Sequence, residues 1–118
     1  MRYLCLVYLE EKNLNALSKI EREALSEESI AYCEVLRKNG QFIAAEPLEP
    51  VQTATTVRVR NGKASTTDGP FAETKEQLGG FYMIHARDLN DAIRVATKIP
   101  PARLGSIEVR PIREGGCA

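Results

Sequence analysis

The residues best suited to chemistry lie in one short stretch. Asp68-Gly69-Pro70-Phe71 is followed at once by Glu73, Lys75 and Glu76, with Thr74 and Gln77 between them. Aspartate initiates turns through its side chain, and a proline pushes the residue before it, here Gly69, into an extended conformation. Phe71 would anchor the turn by its apolar ring. Asp68 with Glu73 or Glu76 would then place catalytic carboxylates at a pocket mouth, with Lys75 as their cationic partner. A carboxylate beside a dry pocket holds its proton more tightly and does general acid–base work. The plainer reading of the same stretch is a rigid turn followed by a solvated charge run.

Other candidates are scattered along the chain. His85 is the single histidine and shares a strand face with Phe81 and Met83. A lone strand histidine is structural more often than catalytic, so it is a ligand-contact candidate only. Ser29 interrupts an apolar helix stripe, where a hydroxyl either bonds back to a helix carbonyl or faces a ligand. No G-x-S-x-G elbow marks it as a nucleophile. Arg58 and Arg60 project from one face of a hairpin and would pair with acids or hold an anion. Metal-ligand spacing, a phosphate loop and a dinucleotide fingerprint are all missing, so no cofactor and no metal are expected.

The elements that must position these residues follow from periodicity. Residues 2–8 are apolar on both parities, the mark of a central strand. Residues 9–19 are polar and irregular. A helix over about 20–38 carries Leu25, Tyr32, Cys33 and Leu36 at helical spacing, and Gly40 closes it as a left-handed cap. Gln41 to Ala45 reads as a strand that Pro47 and Pro50 end. Val51 to Arg60 alternates strongly, Asn61-Gly62 is a type I′ hairpin turn, and Lys63 to Thr67 returns. Gly79-Gly80 precedes a strand from Phe81 to Arg87. Leu89 to Lys98 is a second helix with Asp88 as its N-cap, and Pro100-Pro101 stops it. Ser106 to Pro111 is the last strand. One domain of residues 1–112 results, with 113–118 as a disordered tail.

The order is β-α-β, a hairpin, then β-α-β, the split arrangement of a ferredoxin-like α+β fold. Two helices would cover one face of an antiparallel sheet. The first strand is apolar on both sides, and no helix is left for its second face. A second copy of the chain is the expected cover, giving a homodimer with sheets face to face.

Composition excludes several classes. Sixteen basic residues match sixteen acidic ones, so bulk charge offers nothing to a nucleic acid. The apolar runs are too short to span a bilayer, and the N-terminus lacks the length and cleavage site of a signal peptide. Cys5, Cys33 and Cys117 form neither a disulfide framework nor a zinc pattern. Cytoplasmic location is the expectation.

Ala54-Thr55-Thr56-Val57-Arg58-Val59-Arg60-Asn61-Gly62 and the run from Thr67-Asp68-Gly69-Pro70-Phe71 to Gly79-Gly80-Phe81 resemble the DGPF branch of the YCII-related family. Ile99-Pro100-Pro101-Ala102-Arg103 and Gly105 to Ile112 continue the likeness, as does Tyr3 to Tyr8. The resemblance implies a ferredoxin-like fold and dimers of the dimeric α/β-barrel kind. It implies enzymes in which a histidine and an aspartate meet at a pocket, one relative being a dehydrochlorinase of a chlorinated hydroxyquinol. Branch members also accompany extracytoplasmic-function sigma factors. The family histidine sits on the first helix; counted back from Gly40, Ser29 holds its place here, while Asp68 belongs to the DGPF motif itself.

Two functions follow. One is a cofactor-free lyase or isomerase using Asp68 with Glu73 or Glu76, its ligand held by Ser29, Arg58, Gly69, Pro70, Phe71, Lys75 and His85. The alternative is a non-catalytic ligand-binding or regulatory module in a sigma-factor-controlled stress response.

Overall fold

The computed structural model describes all 118 residues. Strand β1 (Arg2–Leu9) leads through a short helix α1 (Glu11–Asn15) into the long helix α2 (Lys19–Lys38). Strand β2 (Phe42–Pro47) and a 3-10 turn (Val51–Thr53) precede the hairpin β3 (Thr55–Arg60) and β4 (Lys63–Asp68). Strand β5 (Gln77–His85), helix α3 (Leu89–Thr97), a 3-10 turn (Pro100–Leu104) and strand β6 (Gly105–Pro111) complete the chain. No helix is long and apolar enough to cross a membrane.

The main sheet has the order β2-β5-β1-β6 with every pair antiparallel, and β3-β4 forms a separate two-stranded sheet. Parity sorts β1 cleanly. Tyr3, Cys5, Val7 and Leu9 are buried, while Leu4, Leu6 and Tyr8 on the other side are half-buried. The buried side joins Tyr82 and Ile84 of β5 to Leu36 of α2 and to Ala92, Val95 and Ala96 of α3. Complete burial of a side chain such as Ile84 contributes about 2 kcal/mol, so this one-sided core dominates stability. The Tyr32 hydroxyl donates to the Val95 carbonyl at 2.7 Å and pins α2 to the end of α3.

Local chemistry sets the helix ends. Ser18 and Glu21 make a reciprocal capping box, which starts α2 one residue before the apolar stripe suggests. Asp88 caps α3 by accepting from the Asp91 amide at 2.9 Å. Asp91 then accepts from the Arg87 amide at 3.0 Å and from the Arg94 guanidinium at 2.8 Å.

Three expectations need correction. The stretch 9–19 is not irregular, since β1 runs to Leu9 and α1 follows. Helix α1 is too short for a periodic stripe; Glu11 holds it in place by accepting from the Val51 amide at 2.9 Å. Val51 to Thr53 is a 3-10 turn rather than strand, because Pro50 starts it and the Thr53 amide bonds back to the Pro50 carbonyl. Strand β5 begins at Gln77, so Gly79-Gly80 lies inside it and does not precede it. At Gly80 an added Cβ would sit 3.0 Å from the Glu46 carbonyl oxygen, so the neighbouring strand demands the bare backbone.

Asp91 yields a stability prediction. The Arg87 amide, then the Arg94 guanidinium, hold its carboxyl far below the usual aspartate range. A lowered folded value means the contribution is complete above the ordinary 3.8 and is lost as pH falls below it. Asp91→Ala should cost roughly 2 kcal/mol at neutral pH, read by urea unfolding, and the gap to wild type should narrow in acid.

Candidate functional site

A cleft of about 460 Å³ opens beside the Asp68–Phe71 turn. Pro70, Phe71 and Ala72 form one wall, and the β2–β3 connection from Leu48 to Ala54 forms the other. Tyr8 and Leu78 come from the half-covered side of the main sheet. Seven of thirteen lining residues are hydrophobic, which suits a small, largely apolar ligand. Glu49 is the one carboxylate in the walls, and Tyr8, Thr53, Thr74 and Gln77 supply the other polar side chains.

Backbone geometry fixes the turn. Gly69 has φ +112°, a conformation that a side chain resists. Its amide donates to the Ala54 carbonyl at 2.7 Å, and the Thr56 hydroxyl donates to its carbonyl at 2.9 Å. These two bonds strap the turn to the start of β3. The Thr74 hydroxyl donates to the Glu76 carbonyl at 2.6 Å, and the Gln77 amide group donates to the Thr74 carbonyl at 2.7 Å. The run after Phe71 is therefore folded on itself before β5 begins.

A bulge brings Leu78 into the wall. In β5, Gly80, Tyr82 and Ile84 point to the core, and simple alternation would send Leu78 there too. The register slips so that Val7 faces Gly80 but Tyr8 faces Leu78, leaving Gly79 unmatched. One extra residue reverses parity, and Leu78 comes out on the side of Tyr8.

The expected site residues do not converge. Pro70 and Phe71 line the cleft, with Gly69 as their hinge. Asp68, Glu73 and Lys75 are exposed and stand outside its walls. Glu76 is half-buried next to the cleft strand and accepts from the Ser106 hydroxyl at 2.7 Å. Ser106 lies opposite Tyr8 on β6. Arg58 sits with its guanidinium carbon 6.0 Å from the centre of the Phe71 ring. Phe71 is 81% exposed, so it is a rim residue rather than a buried anchor.

His85 and Ser29 belong elsewhere. His85 ends β5 seven residues beyond Leu78, more than about 20 Å along the strand. It faces Arg2 on β1, whose guanidinium pairs with Glu114 at 3.1 Å. Ser29 lies on the helix side of the sheet and donates to the Leu25 carbonyl at 2.9 Å. Its surroundings are kept neutral by burial: Tyr32 and Tyr82 are each pushed up to about 12, and Cys5 up to about 11. No group of three or more potential metal ligands gathers anywhere in the chain.

Tyr8 and Glu49 carry weak sequence signals. Glu49 stands between two prolines in Pro47-Leu48-Glu49-Pro50, a segment stiff enough to hold a side chain in place. Tyr8 is a polar-tipped residue at the end of a two-faced apolar strand.

The chain matches the YCII-related domain over residues 1–115. It is 38% identical over 114 residues to uncharacterized protein R00369 of Rhizobium meliloti (strain 1021), a match spanning 95% of this chain and 92% of that one. Among solved structures it is similar to 5-chloro-2-hydroxyhydroquinone dehydrochlorinase (TftG) from Burkholderia phenoliruptrix AC1100, in complex with 2,5-dihydroxybenzoquinone. That likeness has a TM-score of 0.56 and 17% identity and covers 98% of this chain and 96% of the other, which establishes a common fold.

Two substitutions separate the cleft from the helix side. Gly69→Ala should cost about 1–2 kcal/mol in chemical denaturation, because the added side chain resists φ +112°. Ser29→Ala, which removes the back-bond to Leu25, should change stability by less than about 1 kcal/mol.

Proposed function

The chain belongs to the YCII-related family, and we propose that within it this protein is a small-molecule enzyme of the lyase or isomerase type working in the Tyr8–Glu49–Phe71 cleft. The observation that carries this reading is that one carboxylate, Glu49, and one phenol, Tyr8, line the same cleft among walls in which seven of thirteen residues are hydrophobic. Glu49 takes a proton from the ligand, and the Tyr8 hydroxyl donates a hydrogen bond to the oxygen where charge develops. Such acid–base assistance contributes about 10²–10⁴-fold to a rate. Glu76, steadied by Ser106, is the second carboxylate at the edge. The DGPF turn is the wall that shapes the ligand. A hydroxylated aromatic ring suits flat walls of proline and phenylalanine, and the dehydrochlorinase of similar fold acts on such a ring.

The protein works as a homodimer in this reading. Leu4 and Leu6 of β1 lie opposite Met83 and Phe81 of β5 on the uncovered side of the sheet, which a second sheet would seal. Three free cysteines suit a reducing cytoplasm.

A second reading is favoured by Ser29. It stands where the family resemblance calls for a histidine, and its hydroxyl is spent on the Leu25 carbonyl. A non-catalytic ligand-binding module, serving sigma-factor-controlled regulation, would need the same cleft and no proton transfer.

A panel of dihydroxybenzenes and their chlorinated forms, followed by thermal shift and by chromatography of the mixture, decides between the two. Ligand at a hundredfold excess over Kd should stabilise the protein by about 2.7 kcal/mol. For the enzyme, product accumulates, and Glu49→Gln and Tyr8→Phe each lower turnover about a hundredfold while changing affinity only a few-fold. Stabilisation with no product selects the binding module, and no stabilisation by any member rejects the cleft as the site for this class.

A further inference from the structure

We propose that the β3–β4 hairpin of a second copy of this chain closes the cleft, so that the site is incomplete in one copy alone; this rests on the cleft being the ligand site. The hairpin is an arm. It is its own two-stranded sheet, and such a ribbon is marginal in water without a surface to lie on. The molecule measures 47 × 42 × 18 Å with a radius of gyration of 15.9 Å, against about 13.5 Å for a compact chain of this length.

One face of the arm is apolar and open. Val57 is 61% exposed and Val59 59% exposed, with Thr66 and Ala64 beside them. The cleft rim has the same defect, since Leu48, Phe71 and Leu78 are all exposed. These two surfaces cannot meet within one chain. Phe71 lies against Arg58, and Arg58 alternates with Val57 and Val59, so the valines point away from their own cleft.

Charge favours the same occupant. Thr55 to Asp68 contains Arg58, Arg60 and Lys63 against one acid, Asp68. The chain as a whole is neutral, so the body outside the arm carries an excess of two acids. None of the arm's three cations forms an ion pair. An arm of charge +2 and a body of charge −2 attract in trans, with the cations at the rim and the valines inside.

Photo-cross-linking tests this on the full chain. Val59→p-benzoyl-phenylalanine would be prepared in ¹⁴N and ¹⁵N forms, mixed, irradiated and analysed by mass spectrometry. Mixed-isotope cross-links from position 59 to 48–54 or 70–78 are expected. Cross-links confined to one isotope, cross-links to other segments, or none would overturn the proposal. Val57→Asp/Val59→Asp, first shown to keep its native far-ultraviolet spectrum, should raise the dimer dissociation constant at least tenfold in sedimentation equilibrium. An unchanged dimer constant overturns the proposal as well. Hydroquinone serves as the binding probe: mixed-isotope cross-links in a protein that no dihydroxybenzene stabilises would uphold the arm contact and remove the cleft reading.

Discussion

The pairing of β1 with β5 is the constraint on which the rest depends. Their register decides which side chains enter the core and which face the opposite side, because alternation leaves no intermediate choice. Tyr3, Cys5 and Val7 meet the helices because Tyr82 and Ile84 do so in the neighbouring strand. The slip at Gly79 then breaks the alternation once, at the end of the strand, and places Leu78 beside Tyr8. Core and cleft are thus two results of a single ladder, separated by one unmatched glycine.

That arrangement explains why the two ends of β5 differ in character. At the Gln77 end the bulge, the Thr74 and Gln77 bonds and the strapped Gly69 make a shaped concavity. The His85 end is a flat rim where Arg2 and Glu114 pair in solvent. Helix-side polarity is different again. Ser29, Tyr32 and Tyr82 sit in a packed layer whose tyrosine hydroxyls burial keeps protonated, a setting for structure rather than proton transfer.

Much of the fold was legible in the sequence because it is written in local periodicity. The two-faced strand, the Asn61-Gly62 turn with φ of 53° and 75°, and the Asp88 cap need only near neighbours to be read. The start of β5 was not legible, because a glycine pair signals a turn locally and reveals a bulge only when its partner strand is known. The candidate site suffered from the same limit. Pro70 and Phe71 were visible as a motif, whereas Tyr8 and Glu49 become site residues only when segments about forty positions apart meet. Asp68 and Glu73 drew attention by their density in the sequence, and density says nothing about which way a side chain points.

The central place of β1 also governs the order in which the molecule comes into being. Its partners lie roughly 70 to 110 positions downstream, so the strand made first is satisfied last. At about 5–20 residues per second, synthesis leaves Leu4, Leu6 and Val7 without either neighbour for several seconds. The hairpin closes within microseconds of emerging, but it adds nothing to that strand. A nascent chain of this kind carries an unsheltered apolar ribbon for as long as it takes β5 and then β6 to follow it.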